Sequence, residues 1–135
     1  MLKKRIIANL TLLNGTVVQS IGFNKYLPVG EPEIAVEFLN QWGIDEIIIS
    51  DISAASENSE PLFDIYKKLS SKCNVPLTIG GGVKSIQHIS KLLNSGADKV
   101  FINSYALLRS DFISEAANVY GNQCIIVAID TIKDQ

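Results

Sequence analysis

Two carboxylates stand where short apolar runs end. Asp51 follows Glu-Ile-Ile-Ile-Ser at 46–50, and Asp130 closes Ile-Ile-Val-Ala-Ile-Asp at 125–130. A carboxylate at the rim of a sheet can take or deliver a proton when its surroundings tune its pKa. Either one serves equally well as a structural cap on the loop that follows. Gly80-Gly81-Gly82 comes after the apolar residues 77–79 and just ahead of Ser85. Such a run lets backbone N–H groups approach an anion beside a helix start, although it also makes a flexible turn. Asn103-Ser104 adds donors after Lys-Val-Phe-Ile at 99–102. Gly80-Gly81-Gly82 with Asn103-Ser104, and Asp51 at the same end, predict a phosphate site suited to one end of a sugar phosphate.

A second group of polar residues opens the same runs. Arg5, Glu46 and Lys99 each stand at a strand start. Alternate strand residues share a face. By that parity Arg5, Ile7, Asn9 and Thr11 point one way, as do Glu46, Ile48 and Ser50, then Lys99, Phe101 and Asn103, then Ile126, Ala128 and Asp130. Three inward charges are costly unless they pair with one another or reach solvent at the sheet's end. His88 falls inside a helix and reads as a surface residue. Cys73 and Cys124 have neither disulfide-framework nor metal-ligand spacing, and read as reduced thiols. No metal and no cofactor is expected.

The elements that must position these residues alternate. Strands are predicted over 5–10, 46–50, 77–79, 99–103 and 125–130, each rich in Ile and Val, as strands buried on both faces of a parallel sheet are. Helices are predicted over 31–42, 60–71, 86–94 and 111–120, the first entered through Pro32 and left at Gly43, the third capped by Ser85. Gly43-Ile44-Asp45-Glu46 is echoed by Gly96-Ala97-Asp98-Lys99. A repeated βα unit, with no Gly-x-Gly-x-x-Gly fingerprint, predicts an α/β fold: the N-terminal half of a (β/α)8 barrel, strands one to five with helices one to four. Residues 1–135 are expected to form one half-barrel domain, since a closed barrel takes roughly 250 residues. Residues 16–30 read as a long connection, in which Gly22, Phe23 and Tyr26 form either a lid over the rim or a plain surface loop.

Composition narrows the class. Hydrophobic residues are 47% and charged residues 19%, with a net charge of −2, which describes a globular chain with no basic block for nucleic acid or an anionic membrane. No apolar run reaches the roughly 20 residues of a membrane span. The basic-then-apolar start at 1–13 reads as a first strand and not as a signal peptide, because Asn9 and Thr11 break it and no cleavage site follows.

In order along the whole chain, Lys4-Arg5-Ile6-Ile7, Gly43-Ile44-Asp45-Glu46, Asp51-Ile52-Ser53-Ala54, Gly80-Gly81-Gly82, Gly96-Ala97-Asp98-Lys99-Val100, Ile102-Asn103 and Val127-Ala128-Ile129-Asp130 resemble the cyclase (HisF-type) subunit of imidazole glycerol phosphate synthase. The resemblance implies a cytoplasmic, metal-free lyase of histidine biosynthesis. Ammonia from a glutaminase partner would enter at the barrel bottom through a charged gate, here Arg5, Glu46 and Lys99, with Asp98 at the docking position. It would cross the core and meet a phosphoribulosyl nucleotide at the top. Phosphate contacts would fall on Gly81, Gly82, Asn103 and Ser104.

The match is incomplete at the top. Of the family's two acid–base aspartates, Asp130 matches one; the strand-one position holds Thr11. The family's loop lysine falls on Gln19 and its strand-one cysteine on Asn9. Leu10-Thr11-Leu12-Leu13 and residues 26–32 resemble paralogues found with surface-polysaccharide genes. Three functions follow: an ammonia-channelling subunit serving an amidotransferase in sugar modification, an active cyclase, or an inactive half-barrel. Thr11 favours the first. The sister isomerase of histidine biosynthesis also expects a strand-one acid and fits less well. The partners expected are a glutaminase, a phosphorylated sugar or nucleotide, and a second half-barrel, with no nucleic acid and no membrane.

Overall fold

A computed structural model describes residues 2–54 and 62–131. The elements run β1 (Ile7–Leu13), β2 (Thr16–Ile21), β3 (Lys25–Gly30), α1 (Pro32–Gln41), β4 (Glu46–Asp51), α2 (Phe63–Lys72), β5 (Leu77–Gly80), α3 (Ile86–Asn94), β6 (Lys99–Ile102), α4 (Ser104–Leu108), α5 (Asp111–Tyr120) and β7 (Ile125–Val127). One sheet holds all seven strands in the order β3-β2-β1-β4-β5-β6-β7. From β1 through β7 the neighbours β1, β4, β5, β6 and β7 pair in parallel. This is an α/β half-barrel, five parallel strands with helices along one side.

The core lies between the outer face of that sheet and the helices. Leu12, Ile47, Ile49, Ile79, Val100 and Ile102 are buried there against Val36, Tyr66, Leu69, Ile89, Leu92, Phe112 and Ala116 from the helices. Each buried residue of that size contributes about 1.5–3 kcal/mol of transfer free energy. The inner face carries the opposite parity: Asn9, Thr11, Ser50, Phe101 and Asn103.

The connection expected over 16–30 is a β-hairpin instead. Leu13 pairs with Thr16 across the two-residue turn Asn14-Gly15, and Ile21 pairs with Lys25 across Gly22-Phe23-Asn24. Asn14 and Gly15 both take positive φ, 50° and 79°, the condition for the turn that matches strand twist. An Asn-Gly pair between apolar runs carries that information in the sequence. The first strand therefore lies later than expected, at Ile7–Leu13, and the last ends at Val127, although Ala128 N–H still donates to the Ile102 carbonyl at 2.9 Å. The short helix α4 was also absent from the expected elements; its Leu107 and Leu108 are exposed, so no apolar periodicity announces it. The expected second helix began at 60, outside the described residues; the helix runs Phe63–Lys72, with Leu62 as its N-cap.

No helix among the described residues is long and apolar enough to cross a membrane.

Candidate functional site

At the strand starts Glu46 is the hub. Its side chain is 5% exposed, and it accepts Arg5 at 3.3 Å and Lys99 at 3.1 Å. Thr78 Oγ1 donates to the same carboxylate at 3.2 Å. A buried carboxylate is stable only when its charge is met, and two cations from β6 and from the residues before β1 meet it. The three charges expected inward are thus one network, with Arg5 and Lys99 partly open to solvent and Glu46 enclosed between them.

Asp98 lies at the same end, exposed, immediately before β6. Its Oδ2 accepts the Leu77 N–H at 2.7 Å. The position expected at a partner interface therefore also ties β6 to β5. Beside it a small surface hollow is lined by Ser70, Cys73, Asn74 and Gly96. Cys73 and Cys124 are free thiols.

The other end of the strands forms a cleft of about 440 Å³. Asn9, Thr11, Ser50, Phe101, Asn103, Ala128 and Asp130 line it from the inner face, Gly81 and Gly82 from the loop after β5, Ser104 from α4, and Ser20, Phe23 and Tyr26 from the β2–β3 hairpin. Of the two expected acid–base residues, only Asp130 presents its carboxylate. Its Oδ2 accepts Asn103 Nδ2 at 2.8 Å, and the residue is exposed.

Asp51 is 1% exposed, and its carboxylate is engaged by the turn and helix behind the sheet. Its Oδ1 accepts the Ser53 N–H at 2.9 Å, the Ala54 N–H at 3.3 Å and the Ser53 hydroxyl; its Oδ2 accepts the Tyr66 phenol. Strand parity gives the reason: Glu46, Ile48 and Ser50 face inward, so Asp51 faces the helices. Burial, then the Asp51 carboxylate, pushes the Tyr66 phenol well above its ordinary pKa. Asp51 caps the 52–54 turn against α2 and also lines the cleft.

That turn explains the glycines. A Cβ on Gly81 would stand 2.0 Å from the Asp51 carbonyl oxygen, and one on Gly82 1.9 Å from that of Ala54. Both residues also take positive φ, +131° and +60°, which costs a residue with a Cβ. Their N–H groups, which line the cleft, donate to no acceptor among the described residues. His88 is on α3 as expected, its N–H donating to the Ser85 cap at 3.2 Å, but it is half-buried and not a surface residue, and its Nδ1 is buried with no hydrogen-bond partner among the described residues.

The sequence matches a family profile described as "Histidine biosynthesis protein" over residues 5–135. The chain belongs to that family. It is also 47% identical over 133 residues, 98% of its length, to a Vibrio vulnificus (strain YJ016) protein named "Putative imidazole glycerol phosphate synthase subunit hisF2". Those residues are 49% of that relative, so the chain spans about half the length of the curated relative it matches. In this chain the cleft and the Glu46 network occupy opposite ends of one half-barrel. Thr11, Asp51, Gly81, Gly82, Asn103, Ser104 and Asp130, expected at this rim from the sequence, all line the cleft, whereas Ser20, Lys84 and Tyr105 were not expected there; the Asn14-Gly15 turn is the signal that folds Ser20 back over it.

Proposed function

We propose that the chain is the ammonia-receiving part of a cytoplasmic, glutamine-dependent enzyme, and that residues 1–135 form one half-barrel domain of it. The cleft at Gly81, Gly82, Asn103, Ser104 and Asp130 binds a phosphorylated sugar or nucleotide. A glutaminase docks at the strand starts near Asp98. The observation that carries the reading is the enclosed Glu46 held between Arg5 and Lys99. A charge network of that kind at the entrance to an apolar interior (Ile48, Phe101 and Ile126 lie above it) holds back ions and passes neutral ammonia. The Vibrio relative's name, an imidazole glycerol phosphate synthase subunit, supports the same assignment.

The second reading is an active cyclase, favoured by that relative's 47% identity. Thr11 speaks against it, since a hydroxyl does not replace a carboxylate in proton transfer near neutral pH.

The test is Lys99→Ala in the full-length protein, assayed with glutamine and separately with ammonium salt. A gate requires the glutamine-driven rate to change far more than the ammonium-driven rate. Equal changes would make the three charges a structural cluster only.

A further inference from the structure

We propose that Asn9 is a specificity-determining residue of the cleft, donating from its side-chain amide to an acceptor oxygen on the carbon skeleton of a phosphorylated sugar. The inference rests on the sugar-phosphate reading of the cleft.

Asn9 and Thr11 are two residues apart on the inner face of β1, and both line the cleft. Ser50 Oγ, on the neighbouring strand β4, donates to Asn9 Oδ1 at 2.8 Å. A side-chain amide has one acceptor oxygen and one NH2 group carrying two donors. With the oxygen held by Ser50, both Nδ2 donors are left without an acceptor among the described residues, on an exposed side chain. Ser50 is the positioning residue, because its hydroxyl holds the Asn9 side chain toward β4 and, as donor to Oδ1, leaves the NH2 group as the end without a partner among the described residues.

The β7 end is complementary. There one N–H of the Asn103 amide is held by Asp130 Oδ2 at 2.8 Å, and the carboxylate keeps further acceptor capacity toward the cleft. One wall therefore offers neutral donors and the other an anionic acceptor. A polyhydroxylated skeleton satisfies both, with a carbonyl or hydroxyl oxygen on Asn9 and a hydroxyl donor on Asp130. Inorganic phosphate needs neither wall. Sites built to hydrogen-bond one partner discriminate strongly when that partner is reversed, because a polar group is left unmatched.

The experiment is calorimetric titration of the full-length protein with ribose 5-phosphate and with inorganic phosphate. Asn9→Asp keeps the shape and replaces the donors with an anionic acceptor. It should weaken ribose 5-phosphate about tenfold or more and leave inorganic phosphate within about twofold. Asn9→Ala should lose less, and Ser50→Ala, which frees the amide to rotate, a few-fold; these two carry the test if circular dichroism shows that the Asp variant does not fold. The proposal is overturned if the Asn9 variants bind ribose 5-phosphate as wild type does, or lose both probes equally. A wild type that prefers neither probe also overturns it while leaving a phosphate site standing. A wild type that binds neither removes the sugar-phosphate reading with it.

Discussion

Asp98 grips Leu77 twice: its own N–H donates to the Leu77 carbonyl at 2.8 Å, and its Oδ2 accepts the Leu77 N–H at 2.7 Å. Asp45 does the same to Ile6, at 3.0 and 2.8 Å. Each aspartate stands just before a parallel strand and closes the first rung with the strand beside it. The echo of Gly43-Ile44-Asp45 in Gly96-Ala97-Asp98 is thus a repeated clamp, set one residue ahead of Glu46 and Lys99.

Removing the clamp should destabilise the sheet. Asp98→Ala leaves the Leu77 N–H without its acceptor and should cost about 1–2 kcal/mol. Asp98→Asn keeps an acceptor and should cost less. Urea denaturation measures both, and two variants of equal stability to wild type would show that the first rung holds without the carboxylate.

The Tyr66–Asp51 contact predicts a pH dependence at the alkaline end. Burial and Asp51 raise the phenol's pKa in the folded protein. An unfolded tyrosine titrates near pH ~10. Below that pH both states are protonated and the contribution is complete. Above it the unfolded chain releases the proton first, so stability falls as pH climbs. Tyr66→Phe should lower stability near neutral pH by about 1–3 kcal/mol, by stranding a buried carboxylate oxygen, and should flatten the decline above pH ~10. Parallel alkaline declines in wild type and variant would remove Tyr66 as its source.

Thr11 predicts weak cyclase chemistry. With ammonium salt and a phosphoribulosyl nucleotide, the full-length protein should turn over negligibly. A positioned proton-transfer group is worth about 10²–10⁴-fold. Thr11→Asp should recover a measurable part of that factor, read by product chromatography. Wild-type turnover near that of a relative with both aspartates would sink the prediction.

The exposed apolar surface predicts self-association of the 135-residue chain. Ile34, Phe38 and Trp42 line one side of α1 at 50%, 51% and 76% exposure, and the inner face of β1 leaves Ile7 49% exposed. Such patches, with open edges at β3 and β7, favour pairing. Light scattering should show dimers or larger species at micromolar concentration. Trp42 is the single tryptophan, so its emission should shift to shorter wavelength as concentration rises. A stable monomer with unchanged emission would contradict this.

The sequence by itself determined the alternation of strands and helices, the inward parity of Glu46, Lys99, Thr11, Asn103 and Asp130, and the glycines at 80–82. These follow from local periodicity and from backbone freedom, which neighbouring residues set. Tertiary structure decided what those side chains meet. Asp51 and Asp130 look alike as carboxylates after apolar runs. One is buried beneath Tyr66 and the other opens into the cleft, because the strands place them on opposite faces of the sheet. Asn9 pairs with Ser50 although its directly opposite residue is Ile48. A side chain's partner on the next strand depends on stagger and twist, and one strand's sequence does not contain them.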